Sequence, residues 1–268
     1  LPYLREHTFE GEAVFPAVEA LQTLASSTKR HFPEVNARSM FQACFPRFLH
    51  IGADCPIIEA FNEIEVTGGG EVKTSLITMT TSKSGRITRP AVHARVIFKQ
   101  DSGSHPSVTS RMSFDLARDV IEVPPDRLYR DLVPLGPAYQ NAHAPIRISS
   151  RGAIACLQAP DLPAQLDPLG SPFPLDAAMH CACVWSQRYA NVVAFPIGFE
   201  ERVILHRTKP GEAYFTCVVP VQTGEQPLIF DIGIYRMDGV LCEKITGVQM
   251  RDVSAGRLKP PSWIRDVV

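Results

Sequence analysis

No stretch of the 268-residue chain approaches the roughly 18 consecutive apolar residues that a membrane-spanning helix requires. The N-terminus also lacks the basic-then-apolar pattern of a secretory leader. An excess of one charge is missing too. Lys and Arg number 27 against 28 Asp and Glu, a formal net charge of −1, so no global basic field draws the chain to nucleic acid or anionic lipid. Partners must therefore be recognised through local surface features. The seven cysteines are odd in number and show no Cys-x-x-Cys spacing, which argues against a disulfide frame or a zinc site. Cys44, Cys55, Cys156, Cys181, Cys183, Cys217 and Cys242 lie mostly in apolar runs, and read as small buried hydrophobes in a reducing, cytoplasmic compartment. Gly-x-Ser-x-Gly, Gly-x-x-x-x-Gly-Lys and His-Glu-x-x-His are absent, and Gly68-Gly69-Gly70 reads as a turn between strands. Nucleotide hydrolysis and hydride transfer thus have no support.

What is present is an ordinary globular composition, 45% hydrophobic and 21% charged, long enough for one large domain or two of about 130 residues. A helix is expected from Ala17, with Val18, Leu21, Leu24 and Ala25 forming an apolar stripe, ending between Ser26 and His31. Strand-like segments follow near 40–51, 57–66, 71–81 and 91–99, separated by signals such as Ser82-Lys83-Ser84-Gly85. A polar loop is expected over 100–106. Residues 116–134 read as a connection, with a short helix near 125–132. The second half repeats the outline: an extended run at 146–157, a proline-rich loop at 160–174 and a helix at about 175–189. Strands are then expected near 192–199, 202–205, 213–221, 228–235 and 240–250. The pattern is α+β, two copies of one helix-on-sheet unit without visible residue-level identity.

Two stretches carry the chemistry. His7 lies on a short extended run before Gly11 and Pro16, where proline suits a first helical turn and glycine a tight or positive-φ one. In Pro172-Phe173-Pro174-Leu175-Asp176, a second proline-marked segment leads an acid into an apolar helix, with His180 one turn later on the same face.

His-x-x-x-Gly-x-x-x-x-Pro at His7, Gly11 and Pro16, Gly-Pro-x-Tyr-Gln at Gly136, Pro137, Tyr139 and Gln140, and Leu-Asp-x-x-x-His at Leu175, Asp176 and His180 resemble, in order and approximate spacing, the dehydratase domains of modular polyketide and polyunsaturated fatty acid synthases. The resemblance implies an α+β double hot-dog fold, in which two long helices, each wrapped by an antiparallel sheet, form a pseudo-dimer in one chain. The expected division is an N-terminal half at 1–115 with the histidine, a connection at 116–134 and a C-terminal half at 135–268 with the aspartate. It further implies dehydration of a β-hydroxyacyl chain, tethered through phosphopantetheine to an acyl carrier protein, to a trans α,β-enoyl thioester.

His7 is then the base, Asp176 the acid kept protonated by an apolar site, and His180 the group that orients the aspartate. Gly11 and Pro16 lie by the thioester, where N–H groups of the Gly11 turn or the helix start supply oxyanion donors. Gly136, Pro137 and Tyr139 shape the tunnel. No cofactor of its own is expected. A metal held by His7, Asp176 and His180 is conceivable, but dehydration of this type needs no Lewis acid.

Expected partners are the carrier protein, reached through a local Arg and Lys cluster at the tunnel mouth, and other synthase domains; the family tends to form homodimers. Double-bond isomerisation or cyclisation with the same residues, and a non-catalytic acyl-binding module, are the alternatives. This chain departs from the family at Leu135, where a tyrosine is common, and at Ser171-Pro172, which replaces His-Pro. The family usually carries a further strand ahead of the histidine, so the first sheet is expected to be an edge strand short.

Overall fold

The computed structural model describes residues 1–54, 57–81, 88–100, 116, 119–164 and 166–265. Cys55, the turn signal at Ser82–Gly85 and nearly all of the loop expected at 100–106 lie outside the described residues.

A 3-10 turn, Pro2–Glu6, leads into a hairpin of β1 (Thr8–Phe9) and β2 (Glu12–Ala13), then α1 (Ala17–His31). Strands β3 (Val35–Cys44), β4 (Phe61–Val66), β5 (Glu71–Thr81) and β6 (Thr88–Gln100) complete the first half. The connection holds β7 (Ile121–Val123), α2 (Pro125–Arg127) and a π-helical turn at Leu128–Leu132. Strands β8 (Ile146–Ser149) and β9 (Gly152–Gln158) precede α3 (Phe173–Tyr189). Then come β10 (Phe195–Ile204), β11 (Ala213–Gln222), β12 (Leu228–Arg236), β13 (Leu241–Arg251) and the short α4 (Ser262–Arg265).

The main sheet is antiparallel throughout, with strand order β4-β5-β6-β3-β10-β13-β12-β11-β9-β8-β7. The first half supplies β4-β5-β6-β3, and the halves join through β3 against β10, where Phe41 faces Glu201 and Cys44 faces Gly198. A side chain at position 198 would put its Cβ 2.3 Å from the Ala43 carbonyl, so glycine permits the close approach at this seam. Helix α1 packs on β3, β5 and β6, and α3 on β9, β11 and β12. This is the expected α+β arrangement of two helices, each set across an antiparallel sheet.

The helices differ in burial for reasons written in their sequences. Helix α1 buries Val18, Leu21, Leu24 and Ala25 and presents Lys29 and Arg30 at its last turn, where cations suit the negative helix end. Each fully buried leucine there contributes about 2 kcal/mol. Helix α3 is buried at every position from Phe173 to Gln187, its mostly apolar residues being spread around the helix and not confined to one face. Two of its polar side chains reach backbone partners: Trp185 Nε1 donates to the Ser149 carbonyl at 2.9 Å, and Gln187 Nε2 to the Leu132 carbonyl at 3.0 Å. Among the described residues, no helix is long and apolar enough to cross a membrane.

Several element boundaries differ from the sequence reading. The strand expected at 40–51 stops at Cys44, because Pro46 lacks an N–H for the ladder, and 45–50 becomes a loop. The run at 146–157 is a hairpin, β8 with β9, turning at Ser150 and Arg151. The segments at 192–199 and 202–205 are one strand, β10, with a register shift between Pro196 and Gly198. The connection also does more than link: β7 pairs with β8 at the sheet edge, and Leu128, Tyr129 and Leu132 are buried. Four cysteines, Cys181, Cys183, Cys217 and Cys242, are buried as expected, but Cys156 faces outward on β9 and is exposed.

Candidate active site

His7 is placed by backbone contacts that come from both halves. The Glu6 carbonyl accepts from Gly136 N at 2.8 Å, and the Glu6 carboxylate accepts from Ala138 N at 2.6 Å. The Gly-Pro-x-Tyr-Gln segment thus docks on the residue just before the histidine. A Cβ at position 136 would lie 2.5 Å from the Glu6 Cβ, so only glycine allows this approach. On the other side, Val14 N donates to the His7 carbonyl at 2.9 Å across the hairpin. The hairpin turns at Glu10 (φ 50°) and Gly11 (φ 83°), consecutive left-handed residues of the kind that matches strand twist. Arg257 holds the tip, donating to both Glu10 carboxylate oxygens at 2.9 and 2.7 Å.

Asp176 sits in the first turn of α3, where the positive helix end favours a carboxylate. Its Oδ1 lies 3.7 Å from His7 Nε2, and its Oδ2 lies 3.0 Å from His180 Nε2. Side-chain exposures of 22% for His7, 8% for Asp176 and 7% for His180 put the trio at the inner wall of a cavity of about 560 Å³. Tyr139, fully buried, stands edge-on to His7 at 5.0 Å between ring centroids and packs on Phe173 of α3 at 5.5 Å. The Tyr129 ring meets His180 edge-on at 6.0 Å, and its hydroxyl accepts from Ala142 N at 2.8 Å.

Burial pushes His7 below its ordinary value of 6.5, with Asp176 opposing and His180 adding to the depression, so the imidazole is neutral and basic near neutral pH. For Asp176, burial acts upward, but His180 and His7 outweigh it and hold the carboxyl below the usual range. The wall around Asp176 is therefore not simply apolar, since two imidazoles stand beside its carboxyl group. Tyr139 is pushed up by burial and then by Asp176, so its phenol stays protonated.

The remaining candidates spread out. Pro16 is buried and caps α1, its carbonyl accepting from Glu19 N at 3.1 Å and Ala20 N at 3.0 Å. Ala17, the next residue, faces the cavity. Gly11 is exposed at the hairpin tip and does not line the cavity, so its role is the turn and not the thioester expected there. Pro137 is exposed, and Leu135, not Tyr139, supplies the cavity wall from the Gly-Pro segment.

Sequence reasoning missed the 45–50 loop, which lines one side of the cavity. The loop is pinned by His93, whose Nδ1 lies 3.1 Å from the Phe48 carbonyl and whose Nε2 lies 2.9 Å from the Thr78 hydroxyl. Pro46 was the available signal. Exposed Arg47 and Arg251 also line the cavity, together with Asp252.

The dehydratase domain of RzxB from Pseudomonas fluorescens superposes with a TM-score of 0.69 at 16% identity, covering 93% of this chain and 90% of that one. The dehydratase domain from the CurF module of the curacin polyketide synthase gives 0.71 at 18% identity, over 93% and 88%. A trans-AT polyketide synthase dehydratase domain from Brevibacillus brevis gives 0.68 at 15% identity, over 93% and 89%. At such identities the likeness shows the shared double hot-dog fold. Curated proteins gave no match. The family model described as polyketide synthase dehydratase N-terminal domain matches residues 113–260, more than half of the sequence, and the chain accordingly belongs to the polyketide synthase dehydratase family.

Proposed function

We propose that this chain removes water from a β-hydroxyacyl thioester carried on the phosphopantetheine arm of an acyl carrier protein, with His7 as base and Asp176 as acid. The observation that carries the reading is the 3.7 Å approach of His7 Nε2 to Asp176 Oδ1 in one cavity, the histidine coming from the segment before the N-terminal hairpin and the aspartate from α3. That spacing is too long for a direct hydrogen bond, so each group remains available to a ligand.

Neutral His7 takes the Cα proton, the Cβ–O bond breaks, and Asp176 protonates the departing hydroxyl, which leaves as water. The products are a trans α,β-enoyl thioester, an imidazolium and a carboxylate; a proton passing back from His7 to Asp176 resets the site. Asp176 needs its proton at the start. An apolar acyl chain entering the cavity displaces water, enlarges the burial penalty on the carboxylate and favours the neutral acid. His180, in contact with the far carboxylate oxygen, holds Asp176 toward His7. Charge developing on the thioester oxygen is met by first-turn N–H groups of α1 at Ala17, where a positioned donor contributes about 3 kcal/mol. Arg47 and Arg251 suit the phosphate of the arm or an acidic carrier surface.

The test is incubation of a β-hydroxyacyl carrier protein with the chain and with its His7→Ala variant, following loss of one water by mass spectrometry. Dehydrated product from the wild type alone is expected. Product from a folded His7→Ala variant at the wild-type rate refutes the assignment, and migration of a double bond in an enoyl substrate without water loss points to an isomerase.

A further inference from the structure

A second, half-open cavity of about 460 Å³ lies beside the first, between the Pro2–Glu6 turn, α1 and the segment just before β4. It is mostly apolar, with Leu4, Ile51, Ile58 and Ala60 in its walls. Only Phe15, Leu49 and Leu76 line both cavities. Side chains that face two voids at once form a wall one side chain thick. Phe15 N donates to the Leu49 carbonyl at 2.8 Å, which fixes these two wall members side by side, and Leu76 reaches the same place from β5. Phe15 and Leu49 are only half-buried, whereas Leu76 is 4% exposed in the core.

We infer that Phe15, Leu49 and Leu76 form a septum that limits the length of acyl chain the site accepts, and that the second cavity is the continuation of the acyl channel which the septum closes off. The inference rests on the proposed dehydratase reading for its substrate, a linear acyl thioester. The chemistry of the walls supports it. A flexible hydrocarbon tail leaving the cavity at Phe15 would otherwise meet a rigid ring, and it finds apolar side chains on the far side once that ring is gone. Each methylene then transferred from water to the second cavity favours the longer substrate. His7 and Asp176 border only the first cavity, so the septum acts on length without touching the reacting atoms.

The experiment compares Phe15→Ala, Leu49→Ala and the double variant Phe15→Ala/Ala60→Trp with the wild type, after thermal denaturation has shown which are folded. Substrates are short and long unbranched β-hydroxyacyl pantetheine thioesters; unreactive saturated acyl pantetheine amides of the same lengths are titrated by calorimetry. Opening the septum is expected to raise the long-to-short ratio, in kcat/KM and in amide affinity, by about tenfold or more. Filling the second cavity with tryptophan is expected to return the ratio to that of the wild type. An unchanged ratio in whichever septum variants fold overturns the inference, as does a raised ratio that Ala60→Trp leaves in place. The amides bind without turnover, so a wild type that binds them but releases no water sinks the dehydratase reading while the length ratios still decide the septum.

Discussion

Replacing Glu19 by glutamine is expected to stabilise the protein at alkaline pH and to do nothing at acid pH. Glu19 stands in the first turn of α1 and is 4% exposed, with its carboxylate accepting from the Tyr3 hydroxyl at 2.8 Å. Burial pushes its pKa up from 4.5 to about 7, the Tyr3 bond opposes this, and Asp176 adds to the rise. Between these two values the folded chain keeps a proton that the unfolded chain has lost. The unfolded state then binds fewer protons, so stability falls as pH rises through that window and levels off above about pH 7. A shift of this size corresponds to about 3 kcal/mol, an order-of-magnitude figure, fully felt at about pH 8.

Glutamine cannot ionise, and its carbonyl oxygen can still accept from Tyr3. Urea unfolding of both proteins across this pH range is the assay, with equal m-values as the control that the same surface is exposed. The stability difference should grow from near zero at about pH 4.5 to between 1 and about 3 kcal/mol at about pH 8. A difference that does not vary with pH, or a glutamine variant less stable on the alkaline side, refutes the assignment of Glu19 as a buried, proton-holding acid.

For the reaction itself, depression of His7 by burial places the acid limb of kcat/KM below the ordinary histidine value of 6.5, and a limb above that value contradicts the base assignment. Asp176→Asn should lower kcat by at least about a hundredfold with the fold intact by circular dichroism. His180→Ala removes the main influence holding the Asp176 carboxyl down and one that depresses His7, so both groups rise and the whole pH–rate profile moves upward, which a purely structural role would not produce. Gly136→Ala drives a methyl group to 2.5 Å from the Glu6 Cβ and should cost about 1–3 kcal/mol in urea unfolding, with a fall in kcat because Glu6 precedes His7.

The elements of this fold were legible where periodicity is strong and punctuation is clear. The α1 stripe, the mostly apolar α3 and the β4–β5 hairpin at Gly68–Gly70 are of that kind, since a helix face or a tight turn is decided by neighbours in sequence. The departures arise where a distant contact decides. Loop 45–50 keeps strand-like residues, yet Pro46 frees it from the ladder and His93, on β6, pins it over the cavity. Glu19 carries no signal in the sequence, and the Pro2–Glu6 turn packs on it through Tyr3, whose hydroxyl donates to its carboxyl group.

The site shows the same division. The residue types at His7 and Asp176 were readable through the resemblance, but nothing local to either stretch specifies their separation. That distance is set where the Glu6 carbonyl and carboxylate grip Gly136 and Ala138, and where Tyr139 and Phe173 wedge the histidine strand against α3. The Gly-Pro-x-Tyr-Gln segment therefore acts less as tunnel lining than as the brace between the two halves. Leu135 itself lines the cavity, while the contacts that place His7 come from its neighbours Gly136, Ala138 and Tyr139.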